Sequence, residues 1–126
     1  MKKKIITTPN APQPIGPYNQ AVMVDDTLYI SGQIALDPSS GQLMTESIEQ
    51  QTTLVMNNLN AILHAADMDF SHVVKTSIFL MDMNDFAKVN EIYANYFERD
   101  FPARETIQVA GLPRGMAVEI SMIACK

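Results

Sequence analysis

The sequence predicts an α+β domain whose elements follow the order β-β-β-α-β-α-β-β. Six short segments have the alternating or continuous apolar character of strands, and two longer segments have the three-and-four spacing of an amphipathic helix. Both predicted helices stand between strands, as crossover connections do. The 126 residues suffice for one hydrophobic core and leave no room for a second, so we expect a single domain over residues 1–126.

The chain begins with a β-prone run and a stiff loop. Residues 2–8 centre on Ile5 and Ile6, and residues 9–17 hold four of the seven prolines. Proline fixes its own φ and restricts the residue before it, so this loop has few conformations open to it. It leads to Tyr18, which either packs in the core or serves a site. The stiffness of the loop slightly favours a site.

The next two segments have the pattern of a β-hairpin. Gln20–Val24 and Thr27–Ser31 flank Asp25-Asp26, and a pair of acidic residues between two short β-prone runs indicates a tight turn. Gly32 follows the second strand. A residue without a side chain permits the close approach of a ligand or of another backbone at that point.

Ser47 begins the first helix. A serine followed three residues later by Gln50 has the form of a capping box, in which the serine side chain satisfies a free backbone N–H group. Apolar residues then recur at alternating spacings of four and three, which predicts one stripe facing a core. The stripe consists of Ile48, Thr52, Val55, Leu59, Ile62 and Ala66, and it is widened by Met56 and Leu63.

A strand and a second helix come next. Val73–Met81 is apolar at both odd and even positions, which predicts a strand covered on both faces near the centre of the sheet. Alternation places Val74 on the same face as Ile78. We expect Asn84 or Asp85 to cap the second helix. Its inward side chains are Phe86, Val89, Ile92, Tyr93, Tyr96 and Phe97.

Two further strands, Arg104–Ala110 and Met116–Ala124, complete the predicted sheet. Phe-Pro-Ala at residues 101–103 leads into the first, and the proline prescribes an extended entry that delivers Arg104 at a rigid strand start. A guanidinium there suits a carboxylate, since its planar fork donates two parallel hydrogen bonds, although most arginines simply reach solvent. Glu119 sits in the middle of the last strand among small residues, which is an unusual place for a solvated glutamate.

Two helices can cover only one face of a sheet of six strands. The other face would carry large apolar side chains among polar neighbours, too many to leave in contact with water. They are Tyr29, Phe79, Met81 and Ile123. We therefore expect another subunit to cover this face and to enclose Glu119, and with it Arg104, at or near a subunit boundary.

Composition narrows the function classes. A formal net charge of −5 and a pI near 4.8 argue against nucleic acid as the main partner, because phosphate binding needs a basic face. No apolar run reaches the roughly 18 residues that a membrane-spanning helix needs.

The single cysteine, Cys125, fits a reducing compartment, so we expect a cytoplasmic protein. His64 and His72 each lack companions at metal-ligand spacing, and no metal site is predicted.

Six groups of short motifs occur in one order along nearly the whole chain. They are Ala11-Pro12 with Ile15-Gly16-Pro17-Tyr18, Ser31-Gly32-Gln33 with Asp37-Pro38 and Gly41, Lys75-Thr76 with Phe79, Asn84-Asp85-Phe86 with Val89-Asn90, Phe101-Pro102-Ala103-Arg104, and Leu112-Pro113 with Glu119-Ile120. Together they resemble the reactive-intermediate deaminase family, also called RidA or YjgF. The resemblance implies a fold like that of bacillary chorismate mutase and a homotrimer whose sheets face inward, with active sites in clefts between subunits.

The resemblance also implies an activity: hydrolysis of 2-imino or enamine acids, of the 2-aminoacrylate and 2-iminobutyrate type, to 2-oxo acids and ammonia. The imine carbon is already electrophilic, so neither a metal nor a cofactor is needed. Arg104 would hold the substrate carboxylate, and Glu119 would position a water molecule and exchange protons with it. Tyr18 would hydrogen-bond the substrate nitrogen or the water. Ser31 and Gly32 would complete the wall of the pocket.

The substrate-binding set further includes Thr106 and Asn90, which matches the family pattern. Members of the family commonly have a small residue and then a cysteine after the arginine, where this chain has Glu105 and Thr106. The threonine can still donate a hydrogen bond, and strand alternation points Glu105 to the opposite face. We expect Arg104 and Glu119 to lie on one side of the sheet and to converge in a water-holding crevice, with the neighbouring chain as its far wall.

Two other functions stay open. A trimer that binds small carboxylates without turning them over would act as a sensor or regulator. Arg104 suits that role and hydrolysis equally, whereas Glu119 separates them, because a carboxylate receptor gains nothing from a second carboxylate facing the ligand. A ribonuclease or translation inhibitor is the other alternative. The acidity of the chain and the lack of a basic stripe with stacking aromatics disfavour it.

Overall fold

The computed structural model describes all of residues 1–126 and contains six strands and two α-helices in the predicted order. In chain order they are β1 (Lys3–Ile6), β2 (Ala21–Val24), β3 (Thr27–Gln33), α1 (Ile48–Ala65), β4 (Val73–Leu80), α2 (Phe86–Ala94), β5 (Ala103–Gln108) and β6 (Val118–Cys125). Short 3₁₀ turns lie at Phe70–His72, Met83–Asp85 and Pro113–Gly115. The α+β class and the order of its elements are confirmed.

All six strands form one mixed sheet in the order β1-β2-β3-β6-β4-β5. β4 and β5 pair in parallel, and every other neighbouring pair is antiparallel. Because β3 and β4 both run antiparallel to β6, the α1 connection crosses over β6, and α2 returns the chain to the edge strand β5. The last strand is thereby inserted between the two parts of the sheet that α1 joins.

Both helices pack on one face of the sheet, as predicted, over a single core of 23 buried apolar residues. The stripe predicted for α1 faces this core, and its widest part is fully buried at Val55, Met56, Leu59, Ile62 and Leu63. β6 contributes every second residue: Val118, Ile120, Met122 and Ala124. Full burial of a valine, leucine, isoleucine or methionine side chain stabilises the fold by about 1.5–3 kcal/mol relative to leaving that side chain exposed.

The two helices begin differently. The Oγ of Ser47 accepts a hydrogen bond from the backbone N–H of Gln50 at 3.0 Å, so the predicted cap of α1 forms. The N-cap position of α2 is occupied by Asp85, one of the two residues predicted for it. Asp82 accepts from the N–H of Asn84 at 2.9 Å and starts the 3₁₀ turn that precedes α2, while Asp85 makes no capping hydrogen bond.

A bulge in β4 reverses one predicted orientation. The register of β4 against β6 shifts between Val73 and Lys75, so Val73 is buried while Val74 is half-exposed. The prediction that Val74 shares a face with Ile78 is therefore wrong, because one extra residue in a strand inverts the alternation on either side of it.

A second bulge lies at the end of β3. The register of β3 against β6 shifts between Ile30 and Gln33, so Ser31 and Gly32 together stand opposite a single residue of β6. Bulges bend a strand and redirect its side chains. This one brings the backbone of Gly32 next to the side chain of Glu119.

The face of the sheet away from the helices is open in the single chain. Tyr29 on β3 is 50% exposed and Ile107 on β5 is 46% exposed, with Phe79 and Ile123 partly buried between them. This is the apolar surface for which we predicted a covering subunit, and the homotrimer stays a prediction. No helix of the chain combines the length and the apolar character needed to cross a bilayer.

Candidate active site

A cleft of about 360 Å³ lies where the proline-rich loop, the end of β3 and β6 meet. We call it the Glu119 cleft. Four of the predicted site residues line it, namely Tyr18, Ser31, Gly32 and Glu119. Its other lining residues are Pro12, Gln13, Ile15, Gln20, Gln33, Ile34, Leu36, Pro113 and Arg114.

The loop that forms one wall of the cleft is held by a buried amide, that of Gln20. Its Oε1 accepts a hydrogen bond from the N–H of Thr8 at 2.7 Å, and its Nε2 donates to the carbonyls of Thr8, Ala11 and Pro12 at 3.0, 3.1 and 2.9 Å. Sequence analysis placed Gln20 at a strand start and missed this role. The signal was the prolines, which lack N–H groups and leave loop carbonyls in need of side-chain donors.

Tyr18 follows this loop with its ring 48% exposed. Its backbone N–H donates to the carbonyl of Gly16 at 2.8 Å, and its hydroxyl accepts a long hydrogen bond of 3.4 Å from the N–H of Ile15. The ring also packs close to Gly16. The hydroxyl is therefore held near its own loop as an acceptor, and its proton is free to be donated to a bound molecule.

Ser31 and Glu119 lie on neighbouring strands at the cleft. The Oγ of Ser31 donates to the carbonyl of Asn19 at 2.6 Å, so this hydroxyl is already engaged within the chain. Glu119 is half-buried and has no ion-pair partner, and burial raises the pKa of its carboxyl group. An acid group with a raised pKa and no fixed partner is suited to proton transfer.

Arg114 is the single cation that lines the Glu119 cleft, and sequence analysis did not assign it to the site. It sits between Pro113 and Gly115 with φ at 58°, in the left-handed region that arginine seldom adopts. No carboxylate pairs with it within the chain. The proline–arginine–glycine sequence marks a tight turn but gives no sign of where the turn directs the side chain.

A second pocket, of about 320 Å³, opens between α2 and the start of β5. We call it the Arg104 pocket, and it is lined by Asn90, Tyr93, Ala94, Phe101, Pro102 and Arg104. The guanidinium carbon of Arg104 lies 5.1 Å from the centre of the Tyr93 ring and 5.6 Å from that of Phe86. Two aromatic rings thus hold the cation by its face and leave its N–H edge available.

The supports of Arg104 were predicted only as core residues. Phe86 and Tyr93 stand seven residues apart on α2 and so share one side of the helix, which was the available signal. The Tyr93 ring is fixed in turn by a 2.8 Å hydrogen bond between its hydroxyl and the Oγ1 of Thr76, in the interior. Burial raises the pKa of the Tyr93 hydroxyl, so it stays neutral beside the cation.

Two polar groups beside α2 lack partners in the single chain. Arg104 forms no ion pair, and the Oγ1 of Thr106, two residues further along β5, is buried without a hydrogen-bond partner. Because β5 alternates, both side chains lie on the same face of the strand. Of the two, Arg104 lines the pocket and is placed to bind a carboxylate there, whereas Thr106 is not among the residues that line it.

Glu105 points to the other face, as predicted. Its Oε1 lies 2.9 Å from the Nζ of Lys75, and its Oε2 accepts a short hydrogen bond from the Oγ of Ser77. The hydrogen bond from Ser77 first, and Lys75 second, hold the pKa of Glu105 below its ordinary value. The extra negative charge in this chain is thereby directed away from Arg104.

The two halves of the predicted site are separate in one chain. Arg104 pairs with Thr76, which is fully buried beneath the helices, whereas Glu119 pairs with Phe79, three residues further along β4 and on the opposite face. The prediction that Arg104 and Glu119 converge on one side of the sheet is wrong for the single chain. A site containing both must draw them from two copies.

The histidines and acidic residues form no metal centre. His72 accepts a hydrogen bond from the backbone N–H of Asp69 at 3.0 Å and closes the 3₁₀ turn, and His64 is exposed near the end of α1. No group of three or more His, Cys, Asp and Glu side chains is arranged to hold a metal ion.

The chain shows clear sequence relationships. The model of the family described as endoribonuclease L-PSP matches residues 8–126. The chain belongs to this family, the RidA/YjgF family. A mouse protein of similar sequence, 56% identical over 122 residues, covers 97% of this chain and 90% of the mouse protein, and it is named 2-iminobutanoate/2-iminopropanoate deaminase. The family predicted from the short motifs is confirmed.

Solved structures of the RidA/YjgF family match the whole fold. One from Thermotoga maritima superposes with a TM-score of 0.97 at 44% identity and covers 100% of this chain and 98% of that one. Escherichia coli TdcF, solved with bound serine, superposes with a TM-score of 0.94 at 37% identity and covers 98% of each chain. The chorismate-mutase-like fold implied by the resemblance is confirmed.

Proposed function

We propose that this chain is a cofactor-independent deaminase that hydrolyses small 2-imino acids and their enamine tautomers to 2-oxo acids and ammonia. Membership of the RidA/YjgF family and the name of the mouse relative support this reaction class. TdcF with serine supports a small amino-acid-like ligand. The observation that carries the proposal is a pair of unsatisfied groups, a caged guanidinium without an anion and a half-buried carboxyl without a partner.

The working enzyme in this proposal is a homotrimer. The open face of the sheet, with Tyr29 and Ile107 half-exposed, needs a cover, and a second copy offers the same apolar surface. Arg104 lies on the helix side of the edge strand β5, so this arrangement would bring the β5 edge of one copy, with its Arg104 pocket, against the Glu119 cleft of the next. Each site would then contain Arg104 from one copy and Glu119 from its neighbour.

Binding in such a site would begin with the carboxylate of the substrate. Arg104 would hold it through two parallel N–H···O bonds, and the hydroxyl of Thr106 and the amide of Asn90 would complete the carboxylate subsite. Holding the substrate against a bound water turns the attack into an effectively intramolecular step. Ser31 and Gly32 would form the wall across which the planar imine lies.

Hydrolysis would then follow from one carboxyl group. The substrate would react as its protonated imine. Ionised Glu119 accepts a proton from the water as the water oxygen bonds to the iminium carbon, and the C=N electron pair moves to nitrogen to give a neutral tetrahedral carbinolamine. The protonated Glu119 next returns that proton to the nitrogen, the C–N bond breaks with its electron pair leaving on ammonia, and the remaining hydroxyl passes its proton to the ammonia to give the 2-oxo acid and ammonium. The free hydroxyl proton of Tyr18 would hydrogen-bond the water or the nitrogen. In a cytoplasmic setting this reaction would remove reactive imines.

A receptor function is the second candidate, and one observation favours it. In the single chain the carboxylate clamp around Arg104 is complete without Glu119, so an isolated copy would bind a small carboxylate without the group needed for turnover. Such a protein would sense 2-oxo acids or regulate a partner. A ribonuclease gains no comparable support, since a net charge of −5 provides no basic face for RNA.

The deciding experiment generates 2-aminoacrylate or 2-iminobutanoate in place with a dehydratase and follows loss of the imine with and without this chain. The proposal predicts accelerated loss with the wild-type chain. Glu119→Gln should lower turnover by about 10²–10⁴-fold while binding of 2-oxobutanoate changes little, because it removes proton transfer and leaves the clamp intact. Wild-type protein that binds 2-oxobutanoate without accelerating imine loss is a receptor. Equal loss of turnover and affinity in Glu119→Gln contradicts a catalytic role for this residue.

A further inference from the structure

Glu119 occupies space that any residue other than glycine would need at position 32. A Cβ atom placed on Gly32 would lie 2.7 Å from both the Cδ and the Oε2 of Glu119 and 3.0 Å from its Cγ. These separations are well inside ordinary van der Waals contact of about 3.5–4.0 Å. The carboxyl group therefore lies directly over the backbone of Gly32.

Backbone conformation does not explain why position 32 is a glycine. Among the five glycines, Gly41 and Gly115 have positive φ, at 74° and 70°, a conformation that favours glycine. Gly32 has no positive φ, so alanine can adopt its backbone conformation. What position 32 requires is the absence of a side chain, and the group that fills the space is the carboxyl of Glu119.

We propose that Gly32 is a positioning residue, whose missing side chain holds the Glu119 carboxyl flat against β3 in the geometry that proton transfer needs. The inference rests on the proposed hydrolysis and adds to it a residue that acts through Glu119. It also gives the bulge at the end of β3 a function, since that bulge presents the Gly32 backbone to the carboxyl.

The surface under the carboxyl is rigid. Ser31 is fixed on one side of the bulge by two hydrogen bonds, from its N–H to the carbonyl of Gln20 at 2.9 Å and from its Oγ to the carbonyl of Asn19 at 2.6 Å. Gln20 is in turn anchored in the loop by its buried amide. The Gly32 backbone therefore cannot easily move aside, and an added methyl group would displace the carboxyl instead.

The surroundings explain why displacement would change the chemistry. The charged and titratable groups that line the cleft beside Glu119 are Tyr18 and Arg114, and β4 presents the uncharged ring of Phe79 next to it. Burial of the carboxyl group in this cleft raises the pKa of Glu119 by removing it from water. A carboxyl pushed off Gly32 toward solvent would be better hydrated, so its pKa would fall toward the ordinary value of a glutamate.

The test is Gly32→Ala. Because the methyl group meets the far end of a flexible side chain, the fold and the assembly should persist while the carboxyl moves. We expect kcat to fall by about 10–100-fold, as for a misplacement of the order of 1 Å. KM should stay within about two-fold, because Arg104 is untouched and the nearest atoms to the added methyl group belong to Glu119. The acidic limb of the pH profile of kcat/KM should shift to lower pH.

Gly111→Ala is the matched control. Gly111 has no positive φ, and a Cβ there would meet no heavy atom within 4 Å, so this substitution adds the same methyl group in open space. It should leave kcat, KM and the pH profile unchanged. Gly32→Ala combined with Glu119→Gln should be no slower than Glu119→Gln alone, because a residue that acts only through Glu119 has nothing left to position.

Three results would overturn the inference: full activity with an unchanged pH profile in Gly32→Ala, equal losses in Gly32→Ala and Gly111→Ala, or an additional loss in the double variant. A readout independent of turnover is the titration of the Glu119 carboxyl carbon by NMR. Its pKa should be lower in Gly32→Ala than in the wild type. If the wild-type chain fails to hydrolyse imines but this pKa difference is present, the proposed function fails and the positioning by Gly32 stands.

Discussion

The Glu119 cleft and the Arg104 pocket hold their functional side chains by different physical means. The cleft is built from backbone, with a proline-rich loop tied down by Gln20 and a bulge that offers Gly32 as a flat surface. The pocket is built from side chains, with the rings of Phe86 and Tyr93 against one cation. The difference fits the two proposed roles. Proton transfer by Glu119 would need a carboxyl group in a fixed position, whereas anion binding by Arg104 would need N–H groups that remain accessible.

The separation of the two regions has an electrostatic consequence. An arginine and a glutamate that met within one chain would pair and neutralise each other, and a substrate would have to break that pair. Here burial raises the pKa of Glu119, no cation forms an ion pair with it, and Arg104 has no anion. In the proposed trimer, this placement on opposite faces would keep both groups unpaired within each chain. The substrate carboxylate would then enter between them where two copies meet.

The largest expected effect comes from the Arg104 pocket. Arg104→Ala removes the fork that positions the substrate, and we expect kcat/KM for imine loss to fall by about 10³-fold or more. Arg104→Lys should recover little of this, because an ammonium is a point charge without the planar pair of donors. The dehydratase-coupled assay measures both variants. Near wild-type turnover in Arg104→Lys would show that charge alone holds the carboxylate.

Mixing variants tests whether each site joins the two regions from different copies. Arg104→Ala and Glu119→Gln should each be nearly inactive alone. In a trimer that contains both variants, one of the three sites would combine an intact Arg104 with an intact Glu119, so about a third of wild-type turnover should return in the isolated mixed trimers. Co-expression with two affinity tags and sequential purification isolates the mixed species. If verified mixed oligomers show no turnover, Arg104 and Glu119 do not act together from different copies; they then belong to one copy or to no common site.

A smaller effect is expected at Tyr93, where two substitutions distinguish the contribution of the aromatic ring from that of the hydroxyl group. Tyr93→Leu removes one face of the aromatic cage, and we expect affinity for 2-oxobutanoate to fall by about three- to ten-fold, corresponding to about 0.5–1.5 kcal/mol for a cation–π contact. Tyr93→Phe keeps the ring and removes only the hydrogen bond to Thr76. It should bind nearly as the wild type. Calorimetric titration gives both affinities, and equal losses would assign the role to the hydroxyl rather than to the ring.

Different parts of the molecule were predictable from the sequence to different degrees. The core stripe of α1 and the alternation of β6 follow from apolar spacing, and both are confirmed because the burial of apolar surface dominates the folding free energy there. The face on which Arg104 lies could not be predicted in this way. β5 has no apolar alternation (Ala103–Gln108 reads ARETIQ), so only its register against β4 fixes its orientation. That register is set by the α2 crossover, which the local pattern does not encode.

The residues that hold the site were less predictable than the residues that form it. Glu119 and Arg104 attract notice because each is a charge in an unusual context. Gln20 is a buried amide whose partners lie up to 12 residues away, and Gly32 matters through a side chain on another strand. The prolines before Gln20 and the glycine at position 32 indicate that some partner is present, but the identity of that partner depends on tertiary contacts that the local sequence does not encode.

The smallest expected effect concerns stability in the Glu119 cleft. A folded-state pKa above the ordinary value of 4.5 means that the folded chain binds this proton more tightly than the unfolded chain does. The contribution of Glu119 to the free energy of unfolding is therefore fully present below pH 4.5 and is lost as pH rises through the folded pKa. Glu119→Gln does not titrate. Its stability relative to the wild type should accordingly increase from about pH 4 to about pH 7.

Chemical denaturation of both proteins at several pH values and one fixed concentration measures this difference, since the stability of an oligomer depends on its concentration. Asp69 and Asp37 have lowered pKa values, caused chiefly by hydrogen bonds from Ser71 and Ser39, so they act with the opposite sign. Both proteins share them, and the subtraction cancels them. A difference that is flat with pH, or that grows as pH falls, would show that the Glu119 carboxyl is hydrated in the folded chain, and burial would then not distinguish the Glu119 cleft from the partly exposed aromatic cage of Arg104.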